Sequence, residues 1–177
     1  YYNEKKEGVS IRNKIRLRFS KNIGENEYSR KQIEIKKRRG FDATKDIYKI
    51  EKFENHIISN LNNFLFEKHQ LLIKNSLFPV SGVRYTRTSL FSEIIPGVRI
   101  TFDTSVKCFN DFYNIDKQNL FFYILPPRNC LLELKISRSF PIFLKKIIME
   151  FQLQQITYSK YAKSLEKIYE KNYKSFY

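Results

Sequence analysis

Tryptophan is absent from this 177-residue chain, and cysteine and glycine are scarce, at two and five residues. Two cysteines, Cys108 and Cys130, cannot build a disulfide framework, and they show no metal-ligand spacing. Both are expected to be reduced and structural. Five glycines leave no Gly-rich phosphate loop. No Gly-x-Ser-x-Gly elbow and no Ser/His/Asp set is visible, so Ser159 is not read as a nucleophile. No run of 18 apolar residues occurs, which excludes a membrane-spanning helix in this sequence. The opening Tyr1-Tyr2-Asn3-Glu4-Lys5-Lys6 is followed by no apolar stretch and is not read as a signal peptide. The two histidines, His56 and His69, have no cysteine nearby and are read as surface or packing residues, not ligands. Carboxylates are also few: 18 Asp and Glu stand against 33 Lys and Arg, a formal charge of +15.

What is present argues for a folded chain. Hydrophobic residues at 42% and aromatics at 16% are too many for a disordered polyelectrolyte. The length fits one domain, taken as residues 1–177, that buries about two-thirds of its unfolded surface. A soluble, intracellular domain with a polyanionic partner is the expectation. Lys, Ile, Asn, Phe and Tyr are all abundant, as in an AT-rich coding sequence, and such bias inflates Lys without function. The 11 arginines are therefore the better guide. Many of them, including Arg12, Arg16, Arg18, Arg38, Arg39, Arg84, Arg87 and Arg99, fall in or beside strand-like segments.

Residues 11–19 alternate with period two: Ile15, Leu17 and Phe19 oppose Lys14, Arg16 and Arg18. Residues 30–38 do the same, with Ile33 and Ile35 against Glu34, Lys36 and Arg38. A polar turn between them predicts a hairpin. Residues 44–74 carry apolar side chains at spacings of three and four, which predicts one or two amphipathic helices. Residues 83–88 and 97–103 read as a second hairpin, with Val98, Ile100 and Phe102 opposing Arg99, Thr101 and Asp103. Residues 104–118 read as loop. Residues 120–125 and 130–137 read as a third strand pair, in which Leu132, Leu134 and Ile136 oppose Glu133, Lys135 and Ser137. Pro141 opens a helix, with Ser139 as its candidate cap. A last helix is expected from about Ser159 to Tyr173.

One polar face per strand is what any antiparallel sheet shows toward solvent. Here the polar positions are dominated by Arg and Lys at alternate residues, and carboxylates are single and sparse. Like charges opposite one another destabilise a sheet, so the pattern points to an anion that offsets the repulsion. Arg matches phosphate with a two-pronged hydrogen bond. The apolar faces need covering by helices, which leaves the basic side in a groove or inside a barrel. A narrow basic bore suits a thin, unbranched polyanion such as triphosphate or polyphosphate better than a nucleic acid duplex. Glu34 and Asp103 are read as carboxylates that pair Arg and Lys, with metal linkage as the alternative.

The order of these elements carries a family resemblance. Lys-Ile-Arg-Leu-Arg at 14–18 is followed by Glu-Ile-Lys-Lys-Arg at 34–38 and Tyr-Thr-Arg at 85–87. Val-Arg-Ile-Thr-Phe-Asp at 98–103, Leu-Glu-Leu-Lys at 132–135 and Tyr-Ser-Lys-Tyr at 158–161 complete it. Nearly the whole chain resembles the VTC domain, the polyphosphate polymerase domain of the triphosphate tunnel superfamily. The resemblance implies an α+β fold, an antiparallel β-barrel tunnel with flanking helices. It implies transfer of the ATP γ-phosphoryl group onto a growing polyphosphate chain with a divalent metal, Mn2+ or Mg2+. Carried over by position, Arg16, Arg18, Lys36, Arg87 and Arg99 would hold phosphates. Lys160 would act with them, and Lys14, Arg38, Lys49, Lys135 and Ser159 would add to substrate binding. Glu133 would bind the metal. Ser159 and Lys160 would cap the tunnel mouth through the N-terminus of the last helix, a favourable place for an anion.

The family's domain opens with an earlier strand, so the barrel is expected to lack its first strand here, and Glu51 stands where the family often has a basic residue. The resemblance also implies a cytoplasmic location, at the cytoplasmic face of a membrane where subunits of a membrane complex would be partners. Two other readings stay open on the residues: a tunnel-type triphosphatase or polyphosphatase, and a polyanion-binding module without turnover.

Overall fold

The computed structural model describes residues 11–50, 61, 65–66, 79–110, 121–137 and 139–174. The expectations placed on the first ten residues, Glu51, His56 and His69 lie outside them. The chain divides into two compact units, Tyr1–Leu77 and Phe78–Tyr177. The architecture is mixed α+β, with every strand pair antiparallel. Among the described residues the strands form two separate sheets and no closed barrel is found.

In the first unit, β1 (Ile11–Ser20) and β2 (Arg30–Arg39) form the expected hairpin. A third strand, β3 (Asp42–Lys49), pairs with β2. This corrects the helix expected from residue 44. Ile47 and Ile50 fit a helical spacing, but pairing with β2 across the turn makes this segment a strand, with Tyr48 packed on the core and Ile47 exposed opposite Glu34. Arg39 pairs with Asp42, leaving Gly40 and Phe41 as a two-residue loop. Gly40 has φ +61°, a conformation that glycine adopts without steric cost and that tight hairpins need. Helical backbone is found at Leu61, Leu65 and Phe66. Leu61 and Leu65 form the core of this unit with Ile33 and Ile35, and Ile15, Leu17, Tyr48 and Ile50 pack around them. The apolar face of the sheet is thereby covered from within the same unit.

The second unit is organised around β5 (Val98–Phe109), which is longer than expected and takes in residues 104–109. β4 (Gly82–Phe91) pairs along one side of it. β6 (Phe122–Tyr123) and β7 (Leu131–Ile136) both pair with β5, at different ends, and not with each other. The Pro126–Asn129 segment therefore joins two strands that share one neighbour. Between Arg84/Lys107 and Thr86/Thr104 the register shifts by one residue, and Ser105 sits at φ +51°. Such a bulge re-aims the side chains beyond it.

Helix α1 (Ile142–Glu150) begins with Pro141 in the N-cap position, without a side-chain cap, so Ser139 does not cap it. Proline lacks the N–H that a cap would need to spare, and its φ of −65° suits a helix entry. Helix α2 (Lys160–Lys174) follows and packs against β4 and β5. Its inward residues Ser164, Leu165 and Ile168 are buried, as are Val106 and Cys108 of β5. Cys130, in contrast, is exposed.

Gly82 lies under the ring of Phe109, where an added Cβ would overlap the ring carbons. Gly82→Ala should destabilise this unit by about 1–3 kcal/mol, the usual cost of overpacking. A thermal midpoint equal to that of the parent would show that the Phe109 ring moves aside freely.

Candidate functional site

The register assigns each polar side chain to a face. On the first sheet, Lys14, Arg16 and Arg18 of β1 lie beside Gln32, Glu34, Lys36 and Arg38 of β2, and Lys45 and Lys49 of β3 complete the same face. Lys14, Lys36 and Lys45 form a direct cross-strand row. Row upon row of cations is unstable without an anion, and the fold supplies one. Glu34 is 2% exposed and accepts hydrogen bonds from Gln32 Nε2 at 2.6 Å, Lys45 Nζ at 2.8 Å and Arg18 Nη1 at 3.4 Å. Arg16 also donates to it. Burial, the largest single influence, would raise the Glu34 pKa; the Lys45 hydrogen bond and the charge and hydrogen bond of Arg16 outweigh it and hold the carboxyl at about 2. Three cations of this face, Arg16, Arg18 and Lys45, thus share one carboxylate.

On the second sheet, Arg87 of β4 lies opposite Asp103 of β5, Ser89 opposite Thr101, and Phe91 opposite Arg99. β7 adds Glu133 beside Thr101 and Lys135 beside Arg99. Arg87 donates to Asp103 through Nε at 2.6 Å and Nη2 at 2.7 Å. Lys160, at the start of α2, places Nζ 2.6 Å from Asp103 Oδ2. Burial would raise the Asp103 pKa, but the hydrogen bonds from Arg87 and Lys160 outweigh it and the carboxyl is held below its ordinary value. The same hydrogen bond to Asp103 raises the Arg87 pKa. Glu133 is more open, 40% exposed, with Arg87 at 3.6 Å and Lys135 at 3.4 Å. Thr101 Oγ1 and Arg99 Nε are buried without a hydrogen-bond partner among the described residues, and such groups cost about 1–3 kcal/mol unless a ligand or water satisfies them.

Lys160 owes its place to local chemistry. Tyr158 Oη donates to the Ile124 carbonyl at 2.6 Å, fixing the chain before α2. Ser159 Oγ accepts from the Ala162 amide at 3.3 Å, the geometry of an N-cap. Ser81 Oγ donates to Ser164 Oγ at 2.5 Å and ties the helix to the approach to β4.

The residues singled out from the sequence therefore fall into two groups. Lys14, Arg16, Arg18, Lys36, Arg38 and Lys49 share the face of the first sheet, and Arg87, Arg99, Glu133, Lys135 and Lys160 that of the second. Ser159 is occupied as a helix cap. Glu34 and Asp103 are paired with cations, the structural role read for them. Lys45 was hidden by the helical reading of residues 44–74; no local period marks it, and pairing with Lys36 places it. Tyr85, whose ring centre lies 5.2 Å from Arg87 Cζ and 5.0 Å from Lys160 Nζ, had no sequence signal beyond sharing a strand face with Arg87.

Among the described residues no group of three His, Cys, Asp or Glu stands ready for a metal. Asp103 and Glu34 are saturated by cations, so Glu133 is the one carboxylate with oxygen to offer on the second sheet. One half-open carboxylate beside a buried unpartnered hydroxyl fits a hard divalent cation whose remaining ligands are water and phosphate oxygens. It does not fit a caged structural metal.

No helix of the described residues is long and apolar enough to cross a membrane. No curated protein matches the sequence significantly. The model of one family, the VTC domain, matches residues 1–169, nearly the whole chain, and ties it to polyphosphate. With a matching run of that length and two sheets that each carry an ordered basic face, the chain belongs to the VTC domain family.

Proposed function

We propose that this protein is a polyphosphate polymerase that moves the γ-phosphoryl group of ATP onto the end of a polyphosphate chain. The observation that carries the reading is the excess of cations over carboxylates on the two sheet faces, with Thr101 Oγ1 and Arg99 Nε left without partners among the described residues. The tunnel expected of this family belongs to the same proposal. It rests on the family and on each sheet carrying a basic face.

In the reaction, a terminal oxygen of the chain forms a bond to Pγ, and the bond from Pγ to the β–γ bridging oxygen breaks. ADP leaves with that oxygen. The attacking oxygen is already ionised, so no protein base is required. Catalysis then consists of alignment and charge neutralisation. Arg87 and Arg99 bind phosphoryl oxygens on the second sheet, with Lys160 approaching from α2. Arg16, Arg18 and Lys36 bind phosphates on the first sheet, with Lys14, Arg38, Lys45 and Lys49 adding charge. Glu133 would hold a divalent cation, Mn2+ or Mg2+. Such an ion, when bound, neutralises charge on the phosphate oxygens.

The test is to incubate the purified protein with ATP and manganese and to follow ADP, free phosphate and chain length together. Long chains with matching ADP are expected. Free phosphate without chains would replace the polymerase with a triphosphatase, and no turnover of any kind would leave a polyanion-binding module.

A further inference from the structure

Lys160, Asp103, Arg87, Glu133 and Lys135 form a line of alternating charge drawn from α2, β5, β4 and β7. Between its first two cations lies Asp103, fully buried. This single carboxylate takes both the strand cation and the helix cation, with distances of 2.6 and 2.7 Å to Arg87 and 2.6 Å to Lys160. Both cations also lie over the ring of Tyr85. Two cations sharing one aromatic ring would otherwise repel, and each has rotamers that carry it elsewhere. Asp103 uses Nε and Nη2 of Arg87, and Nη2 also lies 3.6 Å from Glu133.

We propose that Asp103 is a positioning residue for phosphoryl transfer: it fixes Arg87 and Lys160 at one spacing while Glu133 stands beside the same Nη2 of the guanidinium. The proposal rests on the phosphoryl-transfer reading above. Asp103 touches neither substrate nor metal and acts through the two cations. The bulge at Ser105 serves this arrangement, because it lies two residues beyond Asp103 along β5. Beyond it Val106 and Cys108 are buried, and α2, which brings Lys160, packs against β4 and β5.

Charge balance and positioning predict different outcomes on substitution. Asp103→Asn removes one negative charge, so tripolyphosphate affinity should hold or rise by a few fold. Loss of alignment should lower kcat about 100-fold, the order expected of a misplacement of about 1 Å. A merely structural role would reduce the folded fraction but leave kcat and KM per folded molecule unchanged. Asp103→Glu keeps the charge and shifts the carboxylate; it should fold, bind tripolyphosphate normally and lose kcat about 10-fold. A nitrogen-15 spectrum supplies a readout independent of turnover. The Arg87 Nε–H signal should be protected in the parent, move on addition of tripolyphosphate, and lose protection in Asp103→Asn. Protection lost together with kcat supports the proposal. Should the parent release free phosphate without chains while its Arg87 signal still behaves this way, the polymerase reading fails and the positioning role stands for the hydrolytic transfer; no turnover of any kind would overturn both. Parental kcat per folded molecule in Asp103→Glu, or a protected Arg87 signal in Asp103→Asn, would overturn it.

Discussion

With manganese present, Glu133→Gln is expected to lower ADP release from ATP by at least about 100-fold, the order lost when a contact that stabilises transition-state charge is removed. Tripolyphosphate should still bind, because the cations of both sheets remain. Without the metal, affinity should move the other way. The Glu133 carboxylate lies 3.6 Å from Arg87 and 3.4 Å from Lys135, where it competes with phosphate for both. Each half-exposed pair is worth about 0.2–1 kcal/mol. Removing the charge should therefore tighten metal-free tripolyphosphate binding by roughly 2–5-fold. Stability should change by no more than about 0.5 kcal/mol, since the side chain is 40% exposed and holds no packed position. Titration calorimetry with and without manganese, beside steady-state turnover, checks both signs. Unchanged turnover would remove Glu133 from the site.

The first unit should be acid-sensitive, and Glu34 should be the cause. Its folded pKa, about 2, lies below the ordinary value of 4.5. A depressed carboxylate contributes stability that is complete above the unfolded pKa and is lost as pH falls toward the folded one. Stability should thus be flat above about pH 5 and fall between about 4.5 and 2 by about 2–3 kcal/mol, after allowing for solvent around Arg16 and Lys45. Glu34→Gln should forfeit that amount at neutral pH and flatten the acid limb. Urea unfolding followed by the Ile33 and Ile35 methyl signals reads this unit directly. A parental acid limb in the Gln variant would assign the sensitivity to another carboxylate.

How much was legible differs from element to element. Lys14, Arg16, Arg18 against Ile15, Leu17, Phe19 could be read as a strand because period two is a local property. The same holds for Arg99, Thr101, Asp103 against Val98, Ile100, Phe102. Residues 43–49 failed because their few apolar residues carry no period-two pattern, and only pairing to β2 across Gly40 makes them a strand. Residues 104–109 failed because the bulge at Ser105 interrupts alternation in a strand that the sheet nonetheless continues. Partner choice failed for β6 and β7, since short sequence separation favours a hairpin on paper but β5 had an open edge to offer both.

Which side chains are basic, how they alternate along most strands, and the family to which the order of motifs belongs can all be read from the residues alone. These follow from residue type and spacing. Which carboxylates are neutralised and which is open depends on the folded arrangement. Glu34 and Asp103 are buried by neighbouring strands and, for Asp103, by Lys160 from a helix 57 positions away. Glu133 stays half-exposed among the same residue types. Burial and cross-strand register set that difference, and both are products of contacts between segments distant in the chain.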